Sequence, residues 1–347
     1  MLNKFLGKFS KDLAVDLGTK NTLVYTSDKG IVINEPSVVA VNTRTDEILA
    51  VGEDAKKMVG KTPSHIKAIK PMSEGVISDF EVTEKMLKYF VDKVHSESFT
   101  IIPRPRMIVG IPIDITEVEK KAVEDAAKSS GARQVFLIEE AMAAAIGARL
   151  PVTEALANMV VDIGGGTSEI AVISLGGVVT YKSLNIAGNA FDADIIDYVR
   201  EEFNILIGEQ VAEAVKIKIG SAVPQKEKLE MEVRGRDLLN GLPRAVIVDD
   251  AQIREAIAKS INKIIDSIKT TLEITPPELV ADIYENGIFL SGGGALLRGL
   301  DKQIAQATKI PVRLADDPLT CVVRGMGALL SDAELLKKVL APGSEEL

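Results

Sequence analysis

Two stretches of the sequence place an aspartate at the end of an apolar run, with a glycine two residues further on. The first contains Asp16 and Gly18, and the second contains Asp162 and Gly164. Backbone N–H groups in such turns form concave anion sites, and a carboxylate beside a phosphate makes sense when Mg²⁺ separates them. The repeated pattern predicts two turns that hold the phosphates of a nucleotide with Mg²⁺. Two ordinary hairpins are the alternative.

The second turn gives the stronger signal, because three glycines precede Thr167. Gly164, Gly165 and Gly166 cost backbone entropy that a purely structural turn rarely tolerates. A third glycine cluster, Ser291–Ala295, follows another apolar run. Its glycines would let a flat ligand such as adenine lie on the backbone, and a tight strand-to-helix turn explains them equally well.

Two other patterns resemble nucleotide motifs and do not complete them. Ala55–Thr62 looks like a P-loop without its first glycine, but Lys56–Val59 favours a helix over an open phosphate cradle. Neither Gly292–Leu297 nor Gly325–Leu330 completes the dinucleotide fingerprint. We therefore exclude both motifs.

Composition narrows the classes of protein further. The 347 residues are 46% hydrophobic and 26% charged, which excludes a disordered chain, and the net charge of -9 argues against nucleic acid as a partner. The single Cys321 excludes a disulfide framework, and His65 and His95 do not make a zinc site. At about 150 residues per domain, this length predicts two lobes.

Apolar periodicity alternates between strands and helices, which is typical of layered α/β proteins. Predicted strands at Leu13–Val15 and Met159–Asp162 end beside the two aspartates. Thr116 is a predicted N-cap, and helices are predicted at Asp250–Thr271 and Leu296–Thr308. Because the strand–aspartate–glycine pattern occurs twice, we expect two similar lobes.

The N-terminus has the pattern of a short basic amphipathic helix, with lysines off an apolar stripe. The stripe residues are Leu2, Phe5, Leu6 and Phe9. This pattern predicts a membrane-binding segment; a helix docked on the protein's own surface and a disordered tail are the alternatives. A second apolar group is either another insertion point or the edge of a strand: Phe99, Ile101 and Ile102. The sequence shows neither a spanning apolar run nor a convincing secretory signal, so we expect a cytoplasmic protein.

In order and spacing, these motifs resemble those of the actin, Hsp70 and sugar-kinase ATPase superfamily. The segments that carry the resemblance are Asp16–Thr19, Ile138–Ala141 with Ala143–Gly147, Asp162–Thr167, Ser291–Ala295 and Arg324–Ala328. Within this superfamily, Pro71–Ile77 with Asp79–Glu81 is similar to the entry into the first long helix of actin-like proteins. The sequence resembles most the MreB family of bacterial actin homologues.

The resemblance implies an α/β, actin-like two-lobed ATPase fold, in which each lobe has a large α/β subdomain and a smaller one. It implies these boundaries: 1–11 for the membrane-targeting helix, 12–32 with 75–148 and 318–347 for the large subdomain of lobe I, 33–74 for its small subdomain, 149–186 with 245–317 for the large subdomain of lobe II, and 187–244 for its small subdomain. The lobes would close over ATP or ADP with Mg²⁺.

Catalytic and metal roles follow from the same resemblance. Asp16 and Asp162 would hold Mg²⁺ largely through its waters. Glu140 would orient the attacking water, helped by Thr167, with Glu139 as the neighbour that takes this role if the register shifts. The structural alternative for Glu140 is a first-turn carboxylate that the helix dipole favours.

The remaining nucleotide-binding residues are also assigned from the resemblance. They are Gly18, Thr19, Lys20, Asn21, Gly164, Gly165, Gly166, Gly188, Asn189, Glu213, Lys216, Gly292, Gly293, Gly294 and Ala295. Glu213 and Lys216 have the i, i+3 spacing of a surface ion pair, which is their alternative reading. Asp192 is either a capping residue or a partner of the metal's ligands.

The resemblance finally implies a function. We expect an ATP-dependent bacterial cytoskeletal filament protein that polymerises on the inner face of the cytoplasmic membrane and organises cell-wall synthesis to maintain rod shape. Its partners would be other copies of itself, anionic membrane lipids, and membrane-bound cell-wall synthesis and cell-shape proteins. The rival interpretations are a monomeric Hsp70-like ATPase clamp and a small-molecule kinase of the same fold.

Overall fold

The computed structural model describes residues 11–96 and 104–344. The predicted apolar stripe of the first nine residues and the group at positions 99, 101 and 102 lie outside these ranges. Within them, the chain forms two compact units by the density of its internal contacts. The first contains residues up to Leu156 with Ile173–Val179 and the chain from Ala315, and the second contains Ala157–Val172 and Thr180–Leu314.

The strands of the described residues are numbered in chain order. They are β1 (Leu13–Leu17), β2 (Asn21–Thr26), β3 (Gly30–Pro36), β4 (Val39–Asn42), β5 (Glu47–Val51), β6 (Ile66–Ile69), β7 (Met72–Ser73), β8 (Val76–Ile77), β9 (Arg106–Ile111), β10 (Gln134–Glu139), β11 (Asn158–Ile163), β12 (Ser168–Ser174), β13 (Gly177–Leu184), β14 (Ile205–Leu206), β15 (Glu230–Asp237), β16 (Pro243–Asp249), β17 (Ile288–Ser291) and β18 (Val312–Leu314).

The α-helices of the same ranges follow the same convention. They are α1 (Glu53–Met58), α2 (Phe80–His95), α3 (Glu117–Ser129), α4 (Glu140–Gly147), α5 (Gly188–Phe203), α6 (Glu209–Ile219), α7 (Asp250–Ile274), α8 (Pro277–Asn286), α9 (Leu300–Thr308), α10 (Cys321–Ser331) and α11 (Ala333–Val339).

The first unit is built on a five-stranded sheet in the order β10-β9-β1-β2-β3. Its strands β1, β9 and β10 run parallel, and β1 pairs antiparallel with β2. Helices α2 and α3 pack on this sheet through their apolar faces. Met86 and Phe90 of α2 and Val123 of α3 lie in one buried core with Val15 and Met107 of the sheet. A smaller sheet, β5-β4-β6, lies with α1 in the stretch between β3 and α2.

The second unit contains a five-stranded sheet in the order β13-β12-β11-β17-β18, with β11, β17 and β18 parallel. One face of α7 buries a row of isoleucines, among them Ile253, Ile257 and Ile264, in one apolar core with Phe191 of α5. A three-stranded sheet, β14-β15-β16, continues this unit. In each unit a buried strand leads through a short turn into the next strand: β1 into β2 in the first unit, and β11 into β12 in the second.

Several local predictions are confirmed. Thr116 caps α3 through a capping box: its hydroxyl accepts from the Glu119 N–H at 3.3 Å, and the Glu119 carboxylate accepts from the Thr116 N–H at 2.9 Å. The rejected P-loop is helical where it should be open, because Lys56–Met58 belongs to α1. The prediction of one helix over Leu296–Thr308 is wrong: a 3-10 turn ends at Leu296, and α9 begins only after Gly299, whose φ is 74°.

Helices α4 and α10 approach each other so closely that glycine is required at their crossing. A Cβ on Gly325 would lie 1.8 Å from the Ala143 carbonyl oxygen, and a Cβ on Gly147 would lie 2.0 Å from the Cys321 carbonyl oxygen. The buried Cys321 thiol donates to the Ala144 carbonyl at 3.2 Å. The alanines of α4 and the glycines of the Arg324–Ala328 segment are therefore explained by one helix–helix contact.

We predict that Gly325→Ala destabilises the protein by about 1–3 kcal/mol, the usual range for overpacking a well-packed core. Intrinsic helix propensity alone would predict the opposite sign, because alanine is favoured over glycine by about 1 kcal/mol inside a helix. Urea unfolding measures the difference. Gly177→Ala is the control, because a Cβ there meets no atom within 4 Å; equal stability of Gly325→Ala and the parent would contradict the packing argument.

Candidate functional site

The turn after β1 brings the Asp16 carboxylate beside Gly18. A Cβ on Gly18 would lie 2.7 Å from the Asn21 carbonyl oxygen and 3.6 Å from Asp16 Oδ1. A side chain at this position would therefore open the turn. Asp16 is half-buried near the end of the strand.

Two distant segments hold this first turn in place. The buried Ser37 hydroxyl donates to the Gly18 carbonyl at 2.6 Å, and the Ser37 N–H donates to the Lys20 carbonyl at 2.9 Å. The Gly75 N–H donates to the Thr19 hydroxyl at 2.9 Å. Ser37, near the start of the predicted small subdomain of lobe I, and Gly75, which directly follows its end, therefore both bond to the turn. Sequence reasoning missed Ser37, which has no local signal.

The turn after β11 starts from a buried carboxylate. Asp162 is 5% exposed, and Ser291 lies opposite it in the parallel pairing of β11 with β17. The Ser291 hydroxyl donates to Asp162 Oδ1 at 2.5 Å. Burial raises the pKa of the Asp162 carboxyl to about 6, and the Ser291 hydrogen bond opposes this rise.

The glycines that follow are tied to the first turn of α5. The Gly164 N–H donates to the Thr167 carbonyl at 2.9 Å and closes the turn. The Gly188 N–H donates to the Gly164 carbonyl at 3.1 Å, and the Asn189 N–H donates to the Gly165 carbonyl at 2.8 Å. The structure thus brings the segment at 188 and 189 to the second turn, as expected for a neighbour of the phosphate site.

The third glycine cluster packs on the strand that carries Asp162. Gly292 has a φ of 79°, and a Cβ there would lie 2.3 Å from the Ile163 carbonyl oxygen. A Cβ on Gly294 would lie 2.2 Å from Ile163 Cγ2. Close backbone packing therefore explains these two glycines without a ligand. Their predicted contact with adenine stays a prediction, as do those of Gly293 and Ala295.

The predicted water-orienting carboxylate stands at the start of α4. Glu140 is the first residue of this helix. A Cβ added to Gly110 of β9 would lie 3.3 Å from the Cγ of Glu140. Glycine at that position therefore leaves the room that the Glu140 side chain uses. Glu139, at the end of β10, is half-buried, and burial raises the pKa of its carboxyl while the charge of Lys120 opposes the rise.

The basic residue predicted on the second small subdomain has partners within its own unit. Lys216 of α6 donates to the Gly188 carbonyl at 2.7 Å, and its ammonium lies 2.7 Å from Asp192 Oδ1. Asp192 lies within α5, whose N-cap is Ala187, so the capping alternative for Asp192 is wrong. Glu213 is half-buried one turn earlier on α6.

Magnesium fits this set of residues only if water supplies most of its ligands. Across residues 11–96 and 104–344, no group of three or more His, Cys, Asp or Glu side chains could hold a metal ion. Mg²⁺ commonly keeps several waters and uses one or two carboxylates. A buried carboxylate such as Asp162, with its raised pKa, suits that role because a cation favours its ionised form.

Each unit has a five-stranded sheet in which a strand that carries an aspartate leads into a glycine-containing turn, and this is the arrangement of an actin-like protein. The MreB/Mbl family model matches residues 10–338, and the chain belongs to this family. It is 54% identical to the cell shape-determining protein MreB of Escherichia coli K12, over 95% of this chain and 96% of that protein. It is 47% identical to the cell shape-determining protein Mbl of Bacillus subtilis 168, over 95% and 98%.

Solved structures agree with this assignment. The crystal structure of MreB5 of Spiroplasma citri bound to ADP is 38% identical and matches with a TM-score of 0.89, over 95% of this chain and 98% of that one. The AMPPNP-bound structure of the same protein matches equally well. The predicted actin-like α/β fold and the predicted family of bacterial cell-shape proteins are confirmed, and neither the clamp nor the kinase alternative is favoured.

We predict a specific pH dependence of stability from Asp162. Because its folded-state pKa lies above the ordinary value of 3.8, the carboxyl stabilises the fold fully below that value, and this contribution is lost as pH rises to about 6. The folded-state pKa and the ordinary pKa differ by about two units, which corresponds to a loss of roughly 3 kcal/mol in the free energy of unfolding. Asp162→Asn should remove this dependence of stability on pH. The stability of the variant relative to the parent should therefore increase from about pH 4 to about pH 7.

Urea unfolding of both proteins at several pH values, without nucleotide or Mg²⁺, measures this difference. Asp301→Asn, a change at a half-buried aspartate on α9, is the control. A stability difference between Asp162→Asn and the parent that does not vary with pH would show that the carboxyl titrates alike in the folded and unfolded protein.

Proposed function

We propose that the chain binds ATP or ADP with Mg²⁺, hydrolyses ATP slowly, and polymerises with copies of itself on the inner face of the cytoplasmic membrane. In this role it organises membrane-bound proteins of cell-wall synthesis and so maintains rod shape. Membership of the MreB/Mbl family supports the proposal, as do the ADP and AMPPNP named for the MreB5 structures. A cell-shape role is named for the relatives from Escherichia coli and Bacillus subtilis.

One observation in this chain carries the nucleotide part of the proposal. Asp162 is buried at the end of β11, and a glycine turn follows it whose carbonyls are held by the N-terminus of α5. Burying a carboxylate destabilises its ionised form unless a cation or hydrogen bonds compensate. Mg²⁺ bound with a nucleotide would supply that compensation, and it would also neutralise charge on the phosphates.

The residues of the chain would then act mainly by positioning. Phosphoryl transfer needs an in-line water and charge stabilisation, and little covalent chemistry from the protein. Glu140 would accept a hydrogen bond from the attacking water, and the hydroxyl of the buried Thr167 would help to orient it. Gly110 supports this role because it leaves space for the Glu140 side chain.

Contacts of the first described residues support the membrane-binding part of the proposal. The Lys11 N–H donates to His95 Nε2 at 3.2 Å, and Asp12 accepts from the Arg106 backbone N–H at 2.9 Å. The residues that follow segment 1–10 therefore contact residues that flank segment 97–103.

Magnitudes indicate weak binding by a single copy. Burying one Leu or Phe contributes about 1.5–3 kcal/mol, and one Lys near an anionic surface about 1 kcal/mol. Ordering a short segment, partial burial and the net charge of -9 oppose these terms. A filament presents many copies on one surface, and linked sites raise avidity by orders of magnitude. Membrane binding should therefore depend on polymerisation.

The first experiment separates nucleotide binding from hydrolysis. Glu140→Ala should keep Mg-dependent ATP binding by calorimetry and lose about a hundredfold in phosphate release, because only the positioning of water is removed. Glu139→Ala is the matched control and should release phosphate at nearly the parent rate. If the two variants exchange these phenotypes, the register is shifted by one residue. If the parent does not bind Mg-ATP, the nucleotide proposal fails.

A second experiment tests assembly and membrane binding together. With ATP, the parent should pellet as filaments and float with anionic liposomes. Deletion of residues 1–9 should leave ATP binding and pelleting intact and greatly reduce flotation. Leu6→Glu should act in the same way by placing a charge on the apolar stripe, whereas Asn3→Glu adds the same charge off the stripe and should float like the parent.

Two results would contradict this account. Absence of an ATP-dependent pellet would favour a monomeric clamp or a kinase over a filament protein. Full flotation of the truncated protein under polymerising conditions would show that the first nine residues are not the anchor, and the group Phe99, Ile101 and Ile102 would then be the next to substitute.

A further inference from the structure

A parallel bridge joins the chain after α6 to the chain that follows the third glycine cluster. Ser221 pairs with Arg298 in this bridge, and the Ala222 N–H donates to the Arg298 carbonyl at 2.8 Å. The two stretches in contact are residues 220–223 and residues 297–299. Together they form one joint, which we call the α6 joint.

The Arg298 side chain holds the C-terminal end of α6. Its Nη1 donates to the Ile217 carbonyl at 3.1 Å and to the Gly220 carbonyl at 3.2 Å. Ile217 lies in the last turn of the helix, and Gly220 is its C-cap. Carbonyls at this end of a helix lack intrahelical donors, and the helix dipole favours a cation there. One guanidinium therefore fixes where α6 ends against the 297–299 stretch.

Two further contacts hold the α6 joint. Gly299 has a φ of 74°, and a Cβ there would lie 2.3 Å from Val223 Cγ2. Arg254 of α7 donates to the hydroxyl of the buried Ser221 at 3.3 Å and to Asp250 Oδ2 at 3.1 Å. The stretch after α6 is therefore held from both sides, by α7 and by the chain that follows the third glycine cluster.

We propose that Arg298 is a positioning residue for the nucleoside part of the nucleotide, and that it acts by holding α6 against the third glycine cluster. The sequence predicts nucleotide contacts from both of these elements, through Glu213 and Lys216 on α6 and through the glycines of the cluster. The proposal rests on the nucleotide-binding function proposed above. In this role Arg298 does not touch the ligand; it sets the separation of the two elements that do.

The place of Arg298 in the chain gives the reason for this assignment. It follows the 3-10 turn Gly293–Leu296 by two residues, and it bonds to the carbonyl of Ile217, the residue directly after Lys216. Groups that bind a ligand have to be held within about 0.5 Å of the productive geometry. A bond that fixes the separation of α6 and the cluster therefore contributes to the affinity for base and ribose.

The glycine turn after β11 has supports of its own, in the N–H groups of Gly188 and Asn189. Loss of the Arg298 side chain should therefore weaken binding of the nucleoside and leave binding of the phosphates unchanged. A direct ligand of the base would give the same binding result, but its loss would leave the α6 joint of the nucleotide-free protein unchanged. A cap that only stabilises the fold would lower the urea midpoint and change no affinity.

The experiment compares Arg298→Met with Lys302→Met, which removes an exposed lysine from α9. Displacement of a fluorescent adenine nucleotide, with Mg²⁺ present, gives the affinities for ATP, adenosine and inorganic tripolyphosphate. We expect Arg298→Met to bind ATP and adenosine about tenfold more weakly, the usual effect of losing a hydrogen bond from a charged group, and to bind tripolyphosphate like the parent. Lys302→Met should bind all three like the parent. Arg298→Lys keeps a cation at the end of α6 and should retain more adenosine affinity than Arg298→Met.

A second pair of variants disturbs the α6 joint without changing Arg298. Gly299→Ala places a Cβ against Val223 and should weaken adenosine binding as Arg298→Met does. Gly241→Ala is its control, because Gly241 also has a positive φ, of 77°, and a Cβ there meets no atom within 4 Å. This control should bind adenosine like the parent.

Hydrogen exchange of the nucleotide-free proteins adds a readout that needs no ligand. The amide of Ala222, which donates to the Arg298 carbonyl, should exchange faster in Arg298→Met than in Lys302→Met. The amide of Asn189, which donates to the Gly165 carbonyl, should exchange alike in both variants.

The outcomes separate this proposal from the proposed function. Equal adenosine affinities of Arg298→Met and the parent would overturn it, and so would an equal loss of affinity for tripolyphosphate and adenosine. If adenosine binding weakens while the exchange of the Ala222 amide is unchanged, Arg298 is a direct ligand and the positioning role is wrong. If the parent binds neither ATP nor adenosine, the nucleotide function itself fails, and faster exchange of Ala222 in Arg298→Met would then show that Arg298 holds the α6 joint for structural reasons alone.

Discussion

The carboxylate of Asp162 lies in the protein interior because its strand, β11, is fully buried, and the neighbouring strand and turn must accommodate this buried charge. Parallel pairing with β17 places Ser291 opposite it, so that a hydroxyl can donate where water is excluded. The strand must then turn sharply, and the glycines of 164–166 allow the turn. The pKa of the Asp162 carboxyl is still raised, because burial destabilises its ionised form. A bound cation would stabilise that ionised form.

A glycine turn has no side chains to fix its conformation, so its rigidity has to come from other parts of the chain. The first turn obtains it from Ser37 and Gly75, which bond to its carbonyls and to the Thr19 hydroxyl. The second obtains it from Gly188 and Asn189 of α5. Both turns are thereby preorganised, and an anion bound to them would lose less in ordering the protein than it would with mobile loops.

Close approach between backbones is the second constraint that runs through the structure. Gly325 and Gly147 allow α4 and α10 to touch, and this contact fixes the helix that begins at Glu140. Gly110 leaves space on β9 for the same glutamate, and Gly292 packs on the backbone of Ile163. Several glycines that look like ligand-binding positions in a sequence are thus explained by packing, which keeps the functional groups in their places.

The sequence by itself determined those local structures that depend on residues close together along the chain. Alternating apolar patterns predicted the strands that end beside Asp16 and Asp162, and a threonine with a glutamate three residues later predicted the capping box of α3, because caps and pleats are local interactions. The ordered motifs also identified the family. Leu296 to Thr308 shows the limit, since Gly299 separates a 3-10 turn from α9 there.

Only the tertiary structure decided which distant residues complete the site. Ser37 lies 19 positions from Gly18, Gly188 lies 28 from Lys216, and Ser291 lies 129 from Asp162. No local pattern distinguishes a serine that will meet a turn from one that will face water, because that depends on how the strands pair and the helices pack. Burial acts in the same way: the spacing of Glu213 and Lys216 is that of a surface pair, and the fold instead places Lys216 against a carboxylate inside the second unit.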